Sequence, residues 1–221
     1  MSCWEIRIAT LIGAIVVGLT PPTTTAAEQP GLAIATLETL PVKGRAPKTG
    51  YSRDQFGQAW ADVNRNGCDT RNDMLKRDLT AIVYKAGTRN CVVASGTLLD
   101  RYSGESINFI RGNVTSMEVQ IDHVVALSNA WQTGAFKLTA DQRKALANDP
   151  MNLFAVKGRL NSQKGDGDAA TWLPPLKSFR CAYVAQQIAV KAKYSLWVVP
   201  PEKAAMVSIL AKCPTQKLPV S

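Results

Sequence analysis

The residues best suited to chemistry are an aspartate and a histidine that adjoin at the end of an apolar run, Asp122 and His123. His123 is the only histidine among 221 residues, and its imidazole can gain or lose a proton near neutral pH. The amides of Asn152 and Asn161 follow downstream, and hard divalent cations prefer carboxylate and amide oxygens. One imidazole, one carboxylate and two amides therefore suit metal-assisted hydrolysis of a phosphodiester bond.

The net charge of the chain favours an anionic partner. There are 26 Lys and Arg against 17 Asp and Glu, which gives a formal net charge of +9. Residues 1–27 contain one acid and one base, Glu5 and Arg7, so that removing this segment leaves the surplus unchanged. A surplus of this size favours polyanions such as nucleic acid, or an anionic surface.

Residues 1–27 have the pattern of a secretory signal peptide. Arg7 precedes the apolar stretch 8–19, which is too short to span a bilayer, and Thr25-Ala26-Ala27 offers a cleavage site of small residues. We therefore expect a secreted, extracellular protein that has no stable membrane association after cleavage. An uncleaved membrane anchor is the alternative, which Pro21 and Pro22 disfavour because they interrupt the apolar stretch.

Cleavage would remove Cys3 and leave four cysteines, and an even number in an exported chain predicts two disulfides. We favour the pairs Cys68–Cys91 and Cys181–Cys213 because both are local in the sequence. A structural zinc site is the alternative. It is disfavoured because no two cysteines have CxxC spacing and the chain has a single histidine.

The elements that must position these residues are both strands and helices. Stretches rich in β-forming residues predict strands over 79–84, 91–99, 107–110, 119–125 and 153–156. Capping boxes predict helices over 52–60 and 139–148, and a further helix is expected over 158–164. Apolar spacing predicts two C-terminal helices, one over about 178–194 and one that begins at Pro200. The fold class is therefore α+β.

The order of these elements and motifs resembles the ββα-metal finger of HNH nucleases. It consists of a strand that ends in Asp-His, a loop, a strand that opens with Asn and a helix that carries Asn. The chain is similar in particular to the exported HNH family related to the C-terminal nuclease domain of the GmrSD restriction enzymes. The resemblance is carried by Gly44-Arg45-Ala46-Pro47-Lys48-Thr49-Gly50-Tyr51, Gly67-Cys68-Asp69-Thr70-Arg71, Ile121-Asp122-His123-Val124-Val125-Ala126-Leu127, Asn161-Ser162-Gln163-Lys164-Gly165-Asp166 and Trp172-Leu173-Pro174-Pro175.

This resemblance implies a role for each polar residue of the finger. His123 would be the general base, and Asn152 would hydrogen-bond the backbone and hold the loop that bears His123. Asp122 and Asn161 would bind one divalent metal, Mg²⁺ or Mn²⁺, at the scissile phosphate. The family's third motif position is often His, and Asn161 at that position weakens a preference for zinc or nickel.

Two basic residues are candidates for contact with substrate phosphate. Arg71 follows the turn that Cys68 anchors, and a planar guanidinium can clamp a phosphate. Lys164 lies three residues after Asn161 and would share its helix face. The alternative for each is an exposed basic residue without a specific role.

Residues 62–73 raise the possibility of a second metal site. Asp62-Val63-Asn64-Arg65-Asn66-Gly67 matches the first half of a calcium loop of the EF-hand type, but position twelve is Asp73 rather than Glu. We therefore favour a polar turn and leave calcium as the alternative.

The domain boundaries follow from these assignments. The signal peptide is 1–27, a tether is 28–41, a single HNH nuclease domain with flanking strands is 42–213, and a short tail is 214–221. The stretch 42–213 is long enough for one hydrophobic core.

Together these features predict a monomeric, secreted, metal-dependent endonuclease of low sequence specificity that cuts DNA, with RNA left open. The alternative is a secreted basic protein that binds nucleic acid or a surface and has a degenerate nuclease site. A zinc hydrolase is disfavoured because such enzymes need more than one imidazole. The ordinary pKa of imidazole predicts that activity falls below a pH of about 6.5.

Overall fold

The computed structural model describes Met1 and residues 31–112 and 115–220, which form the predicted single α+β domain. The α-helices are α1 (Ala33–Thr39), α2 (Thr70–Asp78), α3 (Leu127–Gln132), α4 (Ala140–Ala147), α5 (Gly158–Lys164), α6 (Arg180–Lys193) and α7 (Pro200–Leu210). The strands are β1 (Leu79–Tyr84), β2 (Val93–Leu99), β3 (Ser106–Ile110), β4 (Val119–His123) and β5 (Leu153–Lys157). Within the described ranges, no helix is long and apolar enough to cross a membrane.

The first sheet is an antiparallel meander of β1, β2 and β3. Helix α2 precedes it and contacts both β2 and β5, so that α2 joins this sheet to the second one. Asp69 caps α2, because its carboxylate accepts a hydrogen bond from the backbone N–H of Asn72 at 2.8 Å. The disulfide Cys68–Cys91 ties the turn before α2 to the start of β2, as predicted.

The second sheet forms the ββα unit that carries the candidate site. Strands β4 and β5 pair antiparallel with His123 opposite Leu153, and α5 begins directly after β5. The turn into α5 requires Gly158, because a Cβ atom added there would lie 1.9 Å from the carbonyl oxygen of Met117. The long insertion between the two strands contains α3 and α4. The predicted capping box of α4 is present between Thr139 and Gln142.

The C-terminal helices form the second half of the core. Apolar side chains of α6 pack against α1 and α7, and the predicted disulfide Cys181–Cys213 joins α6 to the segment after α7. Because all four of these cysteines are in disulfides, the zinc alternative is excluded for them.

Two boundary predictions need correction. The tether 28–41 contains α1, whose side chains Ala33 and Leu37 are fully buried because their spacing places them on one face against α6. The described part of the tail, residues 214–220, also belongs to the fold, since the backbone N–H of Leu218 donates to the carbonyl of Gly31. The predicted signal peptide lies outside the described residues, apart from Met1.

The helix predicted over 52–60 is wrong in length. The chain forms only a 3₁₀ turn, Arg53–Phe56, and the Ser52 side chain makes no capping hydrogen bond. Gly57 follows with a φ of 73°, which turns the backbone out of the helical path. The segment 57–60 is consequently a turn that leads to the candidate site.

The polar turn predicted within residues 62–73 is present. The carboxylate of Asp62 accepts hydrogen bonds from the backbone N–H groups of Asn66 and Gly67 at 3.1 and 2.9 Å. The Asn66 amide in turn donates to both oxygens of Asp73, at 3.0 and 3.1 Å. The turn therefore closes on its own hydrogen bonds in this structure.

Candidate active site

The His123 imidazole is held in one orientation at the end of β4. Its Nε2 lies 2.9 Å from the carbonyl oxygen of Ala147, the last residue of α4. A carbonyl oxygen only accepts hydrogen bonds, so Nε2 carries the proton and Nδ1 keeps a free lone pair. The Trp60 ring stacks on the imidazole with 6.0 Å between ring centroids. The inserted helix α4 thus fixes the tautomer of the histidine.

Burial lowers the pKa of His123 to about 4. The hydrogen bond to Ala147 opposes this shift, while the positive charges of Arg53 and Lys164 add to it. The side chain is only 8% exposed, so the charged imidazolium is poorly solvated. The free protein therefore holds a neutral imidazole well below pH 6.5, and the expectation of an acid limit at that pH is corrected.

Asp122 is buried and accepts two strong hydrogen bonds. The Tyr102 hydroxyl donates to its Oδ2 at 2.6 Å, and the Lys164 ammonium donates to its Oδ1 at 2.9 Å. Lys164 also donates to the carbonyl oxygen of His123 at 2.8 Å. Burial and the nearby Asp122 charge raise the pKa of Tyr102 well above its ordinary value, so the phenol keeps its proton.

Asn161 lies on α5 across from these residues. Its Nδ2 donates to Oε1 of Gln120 at 2.8 Å, which orients the amide and leaves Oδ1 as its acceptor. Asn161, Asp122, His123 and Arg53 line one small polar cavity of about 100 Å³. The fold therefore brings the predicted base and both predicted metal ligands to one place.

Asn152 is fully buried beside the loop that follows His123. Its Oδ1 accepts from the backbone N–H of Val125 at 2.8 Å, and its Nδ2 donates to the carbonyls of Val125 and Leu146 at 3.3 Å. These bonds join the loop after β4 to the end of α4. Asn152 thus makes backbone contacts of the kind that its predicted role needs.

The two predicted phosphate contacts occupy different surroundings. The Lys164 ammonium is shielded from solvent in its pair with Asp122, as described above. The Arg71 guanidinium lies 6.0 Å from the centre of the Phe109 ring, on the three-stranded sheet, and lines neither cavity beside His123. Their contact with substrate phosphate stays a prediction.

Sequence reasoning missed three residues that the fold places around His123: Arg53, Trp60 and Tyr102. Tyr102 has no local signal, because it reaches Asp122 from the loop between β2 and β3. Arg53 follows the Gly44–Tyr51 stretch by two residues, and that adjacency is a signal that would have singled it out.

A metal at this site would depend on few protein ligands. Across the described ranges, no three His, Cys, Asp or Glu side chains lie together in a way that could hold a metal. The donors that remain are the free Oδ1 of Asn161 and the second lone pairs of the Asp122 oxygens. One amide and one carboxylate fit Mg²⁺ or Mn²⁺, which retain several waters.

Comparison with known proteins identifies two relationships. The sequence profile described as GmrSD restriction endonucleases, C-terminal domain, matches residues 69–209. An "Uncharacterized secreted protein" of Arthroderma benhamiae is 36% identical over 208 residues, which cover 92% of this chain and 97% of the relative. The latter confirms the prediction that the protein is secreted. No solved structure matches the chain.

Proposed function

From the premise that the chain belongs to the family of GmrSD restriction endonuclease C-terminal domains, we propose that it is a secreted, metal-dependent endonuclease of the HNH type. It hydrolyses phosphodiester bonds of DNA with low sequence specificity. The observation that carries this proposal is the shared cavity of His123, Asp122 and Asn161, with the imidazole fixed by Ala147. A general base and oxygen ligands in one cavity are what this chemistry needs.

His123 acts as the general base through Nδ1. Since Nε2 is engaged with Ala147, Nδ1 is the nitrogen that takes a proton from the attacking water. The hydrogen bond to Ala147 also stabilises the imidazolium that forms. A base with a pKa of about 4 is weak, but a bound phosphodiester adds a negative charge beside it and raises that pKa in the complex.

Asn161 and Asp122 would hold one Mg²⁺ or Mn²⁺, as the donor set allows. A bound ion would supply neutralisation of the charge that builds on the phosphate and on the leaving oxygen. Gln120 keeps the Asn161 amide turned so that its oxygen is presented. Tyr102 and Lys164 fix the rotamer of Asp122, and Lys164 also anchors the His123 backbone.

We infer that the protein contacts the phosphates of its substrate rather than the base sequence. The chain carries a net charge of +9, which supports binding to any nucleic acid through phosphates. We therefore assign low sequence specificity, since phosphate contacts position a nucleic acid but do not read its sequence.

The test is incubation of the purified mature protein with circular plasmid, linear DNA and RNA, each with Mg²⁺, with Mn²⁺ or with EDTA. The expected result is nicking and linearisation of the plasmid with either metal and none with EDTA. Linear DNA is expected to shorten into a broad distribution rather than discrete bands. RNA degradation under the same conditions would add RNA to the substrates.

Two outcomes would contradict the proposal. Retarded migration of DNA without any cleavage, in the presence of metal, would point to the alternative of a binding protein with a degenerate site. Cleavage that persists in EDTA would remove the metal from the mechanism.

A further inference from the structure

A second cavity lies beside His123, on the side of the Ala147 carbonyl. Its volume is about 280 Å³, and the residues that line it include Phe56, Asn148 and the partly exposed Trp60. The His123 imidazole is a wall of both this cavity and the small polar cavity that Asn161 lines. A ligand in the second cavity would therefore contact the same imidazole that is proposed to act as the base.

Arg53 lines both cavities and connects them. Its side chain is exposed, and within the described part of the chain its guanidinium has no hydrogen-bond or ion-pair partner. His123 lines the same two cavities, so the guanidinium lies close to the imidazole. A free guanidinium at this position is suited to bind a phosphate that bridges the two cavities.

Asn148 lines the second cavity and has a buried acceptor oxygen without a partner among the described residues. The side chain is 1% exposed, and its Nδ2 donates to the carbonyl of Lys144 at 2.9 Å. Its Oδ1 has no hydrogen-bond partner among the described residues. Buried acceptors are normally satisfied, so this oxygen is placed to accept from an N–H group of a ligand.

We propose that the second cavity is a nucleobase subsite, which takes the base of a nucleotide next to the scissile phosphate while Arg53 binds the phosphate. The aromatic ring of Trp60 suits the flat face of a base, and the Asn148 oxygen suits the N–H groups on its edge. Asp54 also lines this cavity. Its negative carboxylate would repel a second phosphate there, whereas it can accept a hydrogen bond from the N–H edge of a base. This inference rests on the proposed function.

A base that enters the cavity cannot remain paired in a duplex. The subsite therefore takes a base from a single strand, a frayed end or a locally opened duplex. Every nucleobase has an N–H donor on its pairing edge, so one acceptor does not select a particular base. The inference adds a preference for unpaired strands to the low sequence specificity proposed above.

The test measures binding in EDTA, so that no substrate is cut. A labelled single-stranded DNA oligonucleotide and an abasic strand of equal length are titrated with the full mature protein, with fluorescence anisotropy as the readout. We expect the strand with bases to bind at least about tenfold more tightly than the abasic strand, because stacking of a base on aromatic side chains contributes to affinity.

Three variants test whether the tighter binding of the strand with bases arises in the second cavity. Ala59→Trp fills the cavity from an exposed position and is expected to abolish the difference between the two strands while both still bind. Arg53→Gln is expected to weaken binding of both strands. Arg89→Gln, which removes the same charge from the turn between β1 and β2, is the matched control and should bind as wild type.

Equal affinity for the two strands in wild type, or an unchanged ratio in Ala59→Trp, would overturn the subsite. Failure of the proposed function would be seen separately, as absence of cleavage with metal. The binding ratio in EDTA does not depend on that result.

Discussion

Two buried lysine–carboxylate pairs hold different regions of this protein together. Lys164 binds Asp122 at 2.9 Å in the ββα unit, next to His123 and the small polar cavity. Lys191 donates to Glu202 at 3.0 Å in the packed contact between α6 and α7. Both pairs are shielded from solvent, so both involve two charges taken out of water.

The surroundings of the two pairs show why only one belongs to the site. Lys191 also donates to the carbonyl of Trp197 and to Oδ1 of Asn129, and burial lowers its pKa and raises that of Glu202. Lys164 donates a second hydrogen bond to the His123 carbonyl, so it fixes the backbone position of the residue proposed to react. The same pair of groups is structural in one region and positions a reactive side chain in the other.

The largest effect on activity is expected from substitution of His123, whose side chain contacts neither lysine–carboxylate pair. His123→Ala should lower kcat for plasmid cleavage by about 10²–10⁴-fold, which is the usual contribution of a general base. Both lysine pairs should survive, so thermal unfolding should change much less than activity. Near-wild-type cleavage at the same pH and metal concentration would show that another group is the base.

The second prediction tests whether the Lys191–Glu202 pair contributes to stability without contributing to activity. Lys191→Met leaves Glu202 buried without its cation and should lower the free energy of unfolding by about 3–5 kcal/mol. Adding Glu202→Leu should restore most of that loss, because a buried pair can be replaced by apolar side chains of similar volume. Cleavage below the melting temperature should be unaffected in the double variant.

The matching changes in the ββα unit should give a different result. Lys164→Met with Asp122→Leu should regain stability in the same way but should remain inactive, since the carboxylate beside His123 is gone. Urea unfolding and plasmid cleavage on the four variants test this contrast. If both double variants cleave equally well, the Asp122 pair is structural as well.

The third prediction concerns the two asparagines of the ββα unit. Asn161→Ala should weaken Mn²⁺ binding by at least about 10–100-fold. Loss of a residue that only supports a metal ligand already has an effect of this size. Asn152→Ala should bind Mn²⁺ as wild type does but should lose about 1–3 kcal/mol of stability, because its backbone partners lose their bonds. Calorimetric titration of each variant with Mn²⁺ would show reversed roles if Asn152→Ala is the one that loses the metal.

Local patterns in the sequence were sufficient for much of this fold. The β1 boundaries 79–84, the capping box of α4 and both disulfides follow from residues close together in the chain. The ββα unit was predicted from the resemblance of its motifs to the HNH family. Such features depend on neighbouring residues, so a single sequence contains their full signal.

Features that depend on distant residues could not be predicted in this way. Lys164 was assigned to phosphate from its position on α5, whereas its salt bridge depends on how α5 packs against β4, 42 residues earlier. The helix α1 was missed because Pro and Gly nearby suggested a tether, while its burial depends on α6 far along the chain. Arg53 and Trp60 likewise lie beside His123 although they are far from it in the sequence.

The smallest expected effect is on the pH dependence of kcat/KM. It tests whether the buried His123 titrates differently from an exposed histidine. With the pKa of His123 at about 4, kcat/KM should change less than about twofold between pH 7 and pH 5.5, where an ordinary imidazole would lose about tenfold. Stability should behave differently. The unfolded chain binds a proton near pH 6.5 and the folded chain does not, so stability falls as the pH drops from about 6.5 to about 4.

The sole histidine makes this prediction directly measurable. Its imidazole C–H signal in the NMR spectrum needs no assignment among other histidines, so its titration in the free protein gives the pKa of His123 itself. Trp60→Ala, which removes the ring stacked on the imidazole, admits water and should raise that pKa toward 6.5 and move the acid limit of kcat/KM with it. A midpoint near 6.5 in the wild-type protein would mean that α4 and Trp60 do not shield His123 in solution. The buried site would then be as open to solvent as an ordinary surface histidine.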